Sequence, residues 1–308
     1  MVASMPAVPT PFDDLPTRIR PSGNSRVADA YRRQRDDALA AADRVFAHGS
    51  RIERLDGCTF CYSEESLALL GGDPRLVSDV LVRRFAEEGL DHWNEDQYQV
   101  AWRRLAGRIL RLLDTKDQGV GIGLLLRGLG YPCNNLDEWP QLEREAVLEV
   151  LRTTLDLWLV DGREPDAVID LLGALAHIHN DIAPWFTRIE TAIDPAIEAG
   201  LVRLAASWGA DLLWGEDPYS WWWFPPDPAG LARQWLCSPA VQSRLTSFAA
   251  RNPKCKNAAD ALAATQSLAT DGHGLWLYPH THPPRPKSWT LPITQATAPV
   301  AEDGPFRP

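Results

Sequence analysis

No part of this sequence stays apolar for the length that a bilayer demands. The longest apolar run, Gly119 to Leu126, is stopped by Arg127, whereas a spanning helix needs about 20 such residues. The segment Met1 to Arg20 is rich in proline and has no apolar h-region, so a secretory signal is not expected. Basic blocks are missing as well: Arg83-Arg84 and Arg103-Arg104 stand as isolated pairs. With 41 acidic against 31 basic residues the formal net charge is −10. That balance disfavours nucleic acid, which needs a basic surface to displace counterions, and anionic membrane surfaces. Cysteine is sparse. Five residues spread over 308 do not form a disulfide framework, and reduced thiols in a cytoplasmic protein are the simpler expectation. Strand signals are scarce too, because few segments alternate over four or more residues and β-branched clusters are rare.

What is present is helical periodicity. Tyr98, Trp102, Leu105, Ile109 and Leu112 step by 4, 3, 4 and 3. Leu148, Leu151, Leu155 and Trp158 repeat the pattern, as do Val168, Leu171, Leu175 and Ile178, then Leu201, Leu204, Trp208 and Leu212. Each series lays an apolar stripe along one helix face. Start signals match them. Ser25 caps a polar helix running to about His48, and Ser63 caps one over Glu64 to Leu70. Asp73-Pro74 opens a helix that Gly89 stops, while Glu164-Pro165, Asp194-Pro195 and Ser238-Pro239 open others. Asp161-Gly162 is a sharp turn, and Asn257 to Leu268 is the last helix. Hydrophobic residues make up 45% of the chain, enough for a substantial core.

The expected fold is all-α: antiparallel helix pairs, joined by short loops, stacked as a HEAT-like helical-repeat body. Residues 1–24 form a proline-rich arm, 25–271 a single helical domain, and 272–308 a proline-rich tail. Leu142 to Ile178 is the clearest pair, and Ile182 to Leu213 is similar to it. Three stretches, CTFCYSEESLALLGGDP from Cys58, DHW at Asp91 to Trp93 and RRLAGRILRLL at Arg103 to Leu113, resemble a group of actinobacterial helical-repeat proteins. QWLCSPAV, Gln234 to Val241, resembles the same group. The resemblance implies a helical-repeat body and no assigned activity.

Candidate chemistry centres on Cys58 and Cys61, a C-x-x-C. Structural zinc needs four ligands, and no second C-x-x-C exists. Cys133, Cys237, Cys255 or the His177/His179 pair could complete a site only by folding close. A redox dithiol wants its first cysteine at a helix N-terminus, but the nearest helix starts after Ser63, behind both thiols. The favoured reading is two incidental thiols with no metal and no cofactor; Cys58 and Cys61 remain the runner-up metal site. His177 and His179, at i and i+2, point to different helix faces and read as one packed and one solvated imidazole. A terpene-synthase reading fails, because Asp36-Asp37 lacks the downstream acid and Asn180-Asp181 is followed by Pro184 and Arg188 where oxygen ligands are required. Gly119, Gly121 and Gly123 follow no strand, so close helix packing is preferred to a phosphate loop.

Trp221, Trp222, Trp223 and Phe224 are the most unusual local feature. Four adjacent rings cannot all face one core, so some apolar area should serve a partner. The leading functional expectation is a non-catalytic interaction or scaffold protein with a protein or peptide partner held there or in a concave groove. The alternative is an enzyme or biosynthetic accessory protein with an apolar inter-helix pocket near Cys58/Cys61.

Overall fold

The computed structural model describes residues 25–47, 52–113, 121–179, 181–213 and 228–270. The two proline-rich arms and the segment Trp221 to Phe224 lie outside them. The described residues are helical and contain no strand; a single isolated bridge pairs Gly57 with Trp93. The helices are α1 (Ser25–Phe46), α2 (Glu64–Gly71), α3 (Asp79–Glu87), α4 (Glu95–Leu112), α5 (Ile122–Leu126), α6 (Gln141–Asp161), α7 (Pro165–His179), α8 (Ala183–Thr191), α9 (Pro195–Leu213), α10 (Pro228–Leu236), α11 (Pro239–Arg251) and α12 (Lys256–Thr270). No helix among them is long and apolar enough to cross a membrane.

Several helix starts are made by capping oxygens. Ser63 Oγ accepts from the Ser66 amide, and Ser238 Oγ from the Val241 amide. Asp194 Oδ1 accepts from Ala196 and Asp181 Oδ1 from Ala183, so each carboxylate satisfies a first-turn donor that the helix cannot. Gly162 closes α6 with φ at 78°, the left-handed conformation that lets the chain reverse into α7 without a Cβ clash. Asp73-Pro74 behaves differently from its reading as the start of a long helix. It opens only a 3-10 turn, Pro74–Leu76; Val77 is extended, and Ser78 then caps α3 afresh by accepting from Leu81. Two adjacent start signals divide the segment, and the second wins because α3 buries Val82, Phe85 and Ala86.

The periodic stripes form one contiguous core. Tyr98, Trp102, Leu105 and Ile109 are fully buried, as are Leu155, Leu171, Leu201 and Leu204 to within a percent of exposure. α1 lies along α6, and α9 along both α6 and α12. The most extensive helix contacts among the described residues therefore join helices that are not consecutive in the chain, and consecutive pairs such as α6 and α7 touch less. The polar helix α1 is held by more than its alanines: Arg35 is buried and its Nε donates to Thr154 Oγ1 at 3.3 Å. Tyr31 donates to Asp194 Oδ2 at 2.7 Å. Beside them Arg188 grips the buried Asp156 with both Nε and Nη2, at 2.9 and 2.5 Å.

Close packing at glycine occurs elsewhere than at the Gly121 and Gly123 of the glycine run. A Cβ on Gly123 would meet nothing within 4 Å, and one on Gly121 would lie 3.4 Å from Asp170 Oδ2. A Cβ on Gly200 would lie 2.4 Å from the Leu159 carbonyl oxygen, which is where α9 crosses α6.

Candidate thiolate–imidazole site

The chain from Asp56 to Tyr62 is a tight turn laid against the start of α4. Cys61 donates its amide to the Cys58 carbonyl at 3.1 Å and Tyr62 to the same oxygen at 3.0 Å, which folds C-T-F-C into one turn with both sulfurs on it. Two further backbone bonds dock the turn. Cys58 donates to the His92 carbonyl at 2.8 Å, and Asn94 donates to the Asp56 carbonyl at 3.0 Å. Between them the Gly57–Trp93 bridge forms. Gly57 is required there, because a Cβ would lie 2.6 Å from Trp93 Cζ3. The underside is a buried aromatic floor. Tyr62 and Trp93 approach to 4.7 Å between ring centroids, Phe85 and Trp93 to 5.0 Å, and the Arg84 guanidinium covers the Tyr62 ring at 4.6 Å.

This docking places His92 beside both thiols. The ligand atoms of Cys58, Cys61 and His92 all lie within 4.8 Å of one another, and each residue is partly exposed. His92 Nδ1 is 3.4 Å from Cys61 Sγ, and Cys58 Sγ lies within 4.8 Å of both. The opposite ring nitrogen, Nε2, is 3.5 Å from Glu88 Oε2 and 3.8 Å from Asp91 Oδ2. Glu88 in turn holds Arg84 Nε at 3.7 Å. One face of the ring therefore looks at sulfur and the other at carboxylate.

The electrostatics follow from these contacts. The neighbouring His92 imidazole, then the backbone amides of Cys61 and Phe60, pull the Cys58 thiol down to about 7. The Cys61 thiol is pushed up, first by its hydrogen bond to Cys58 and then by burial. His92 is pushed up first by Cys58, against the opposing effect of burial, with smaller upward contributions from the charges of Glu88 and Asp91. Amide donors aimed at a sulfur stabilise thiolate, the form that binds metal and acts as nucleophile.

The other sequence candidates do not join this site. Among the described residues the group of metal-competent side chains contains Cys58, Cys61 and His92 and none of Cys133, Cys237, Cys255, His177 or His179. His177 Nε2 lies 3.2 Å from the Arg127 carbonyl, and His179 packs 5.7 Å from the Trp185 ring. Both imidazoles are partly buried rather than one packed and one solvated, and burial pushes both down; α5 with its following turn, α9, α6 and α8 all pack against α7. His92 is the residue that spacing alone could not find. It sits in the DHW stretch, 31 residues beyond Cys61, and no ligand-spacing rule links the two.

No protein-family model matches this chain, and neither a curated protein nor a solved structure shows detectable similarity to it.

Proposed function

We propose that this protein is a metalloprotein in which an ion of the zinc class is held by Cys58, Cys61 and His92, the role being enzymatic or accessory to an enzyme. The convergence of two sulfurs and one imidazole nitrogen within 4.8 Å carries the reading. Two thiolates and a neutral imidazole suit zinc in both softness and charge, because the complex with a divalent ion is neutral and tolerates partial burial. Tetrahedral zinc spaces such atoms by roughly 3.5–3.8 Å, and the Cys61–His92 approach of 3.4 Å is close to that. Glu88 supports the reading further. A ligating histidine usually donates its other N–H to a carboxylate, which sets the tautomer and strengthens the ligand. Three protein ligands at a partly exposed edge leave a position for water, the arrangement in which zinc acts as a Lewis acid. A dithiol of the helix-capped oxidoreductase kind fits less well as the resting role: the turn precedes α2 by several residues, so no helix N-terminus backs Cys58.

The test is a metal titration of reduced, chelator-stripped protein, with cobalt as a spectroscopic stand-in for zinc. One ion per chain is expected, with sulfur-to-cobalt charge-transfer absorption that Cys58→Ser and Cys61→Ser abolish. Saturation without a sulfur band, or no stoichiometric binding, overturns the reading.

A second reading keeps the body as a HEAT-like stack of helix pairs serving a protein or peptide partner in the cytoplasm. The α6–α7 hairpin supports it, as do the exposed apolar side chains of Phe60, Leu76 and Val80. Five free cysteines support the location. Capture of one partner, lost on changing Phe60 to Ala, is the outcome that would favour it.

A further inference from the structure

The two sulfurs that would hold the ion are also placed to join each other. We propose that the Cys58–Cys61 turn is an oxidation site, at which a hydroperoxide converts the two metal-bound thiolates to a disulfide and so ejects the ion. The inference rests on the metal reading above.

Three features carry it. The amide of Cys61 bonds the carbonyl of Cys58 in an i to i+3 turn; such a turn holds its end Cα atoms within about 7 Å. That overlaps the Cα separation of about 4.4–6.8 Å found across disulfides, so rotation of the two side chains suffices. The backbone docking to His92 and Asn94 uses main-chain atoms only and survives loss of the ion. Access is open as well. Both cysteines are partly exposed, and Phe60 between them is 97% exposed, so a small peroxide reaches sulfur without any opening of the core. Cys133, Cys237 and Cys255 have no second thiol in a comparable group among the described residues.

The chemistry balances. One sulfur attacks the peroxide, the O–O bond breaks, and a sulfenic acid and one hydroxide form. The second sulfur displaces hydroxide from the sulfenic sulfur and forms the S–S bond. The two thiolates have lost two electrons and the peroxide has gained them; two protons from solvent complete two waters, or one water and one alcohol for an organic hydroperoxide. The product disulfide is neutral and a poor ligand. His92 alone cannot retain a zinc ion against water, so the ion leaves.

The experiment uses the full chain loaded with zinc and freed of excess metal. Hydrogen peroxide is added in steps while released zinc is read with a chromogenic chelator, free thiols are counted, and tryptic peptides are mapped by mass. The expected result is one zinc released for two thiols lost, with Cys58 linked to Cys61. A dithiol reductant should restore zinc binding. Zinc retained while peroxide is consumed overturns the inference and leaves the metal reading standing. Release accompanied by sulfinic acid, or by a disulfide to another cysteine, overturns it in the same way. Failure of the reduced chain to take up zinc at all overturns both. Mapping on the unaltered chain settles the matter without a variant, and Cys133→Ser with Cys255→Ser, if folded, should give the same stoichiometry.

Discussion

Cys58 donates its backbone N–H to the carbonyl of His92 at 2.8 Å. Through that bond, residues 31 positions apart or more present two sulfurs and a ring nitrogen to one point. The side chains need no contact of their own to be brought there, because the main chain aligns them first.

Glu88 faces His92 Nε2 at 3.5 Å, which directs Nδ1 toward sulfur. Glu88→Gln should lower zinc affinity about 10–100-fold while leaving the thermal midpoint nearly unchanged, since Glu88 lies at the end of α3. Chelator competition reads the affinity. An affinity equal to that of the unaltered chain would show that the carboxylate does not orient the ring.

Gly57 lies against the buried Trp93 ring, and a Cβ there would come within 2.7 Å of two ring carbons. Gly57→Ala should therefore destabilise the fold by about 1–3 kcal/mol and disturb the turn that carries both cysteines. Urea unfolding gives the first quantity. Zinc titration gives the second, and a loss of stability without loss of affinity would separate the bridge from the site.

Asp156 is buried and its main charged partner is Arg188, which meets both carboxylate oxygens. Arg188→Ala should cost about 1–3 kcal/mol, because the largely buried carboxylate is left without its cation, while the partial exposure of Arg188 screens the pair. Adding Asp156→Asn should recover much of that loss. Recovery in the double variant, measured by denaturant unfolding, distinguishes an uncompensated charge from simple loss of packing.

Burial, opposed by the Ile122 amide at the start of α5 and aided by Asp166, raises the carboxyl of Asp170 on α7 to about 6. In the unfolded chain the same group titrates near 3.9. The folded state thus keeps its proton to higher pH, and the stability this contributes is present below about 3.9 and lost as pH rises through about 6. Asp170→Asn keeps an acceptor and removes the charge. It should stabilise the protein by about 1–3 kcal/mol at pH 7.5, the lower part allowing for its partial exposure, and change little at pH 4. Thermal midpoints across that range test the sign.

Most of the helical framework was legible because each signal is local. The 4-3 stepping of Tyr98, Trp102, Leu105 and Ile109 marks a face without reference to any partner, and a serine or aspartate cap acts within three residues. The reading failed where two local signals competed, at Asp73-Pro74 and Ser78, and where burial depended on neighbours, as for His177 and His179. How the helices stack lies beyond such local signals, since periodicity says which face is buried and not which helix covers it.

The sequence by itself determined an acidic helical chain, the caps and turns of its helices, and a C-x-x-C in a loop before α2. Those properties depend on side chains a few positions apart, whose geometry the backbone periodicity sets. Only the tertiary structure decided that His92, with Glu88 four residues before it, stands against Cys58 and Cys61. That convergence comes from long-range docking: the aromatic floor of Tyr62, Phe85 and Trp93 and two backbone hydrogen bonds pin the turn to the start of α4. Burial of those rings drives the docking, and no spacing within a single segment encodes it.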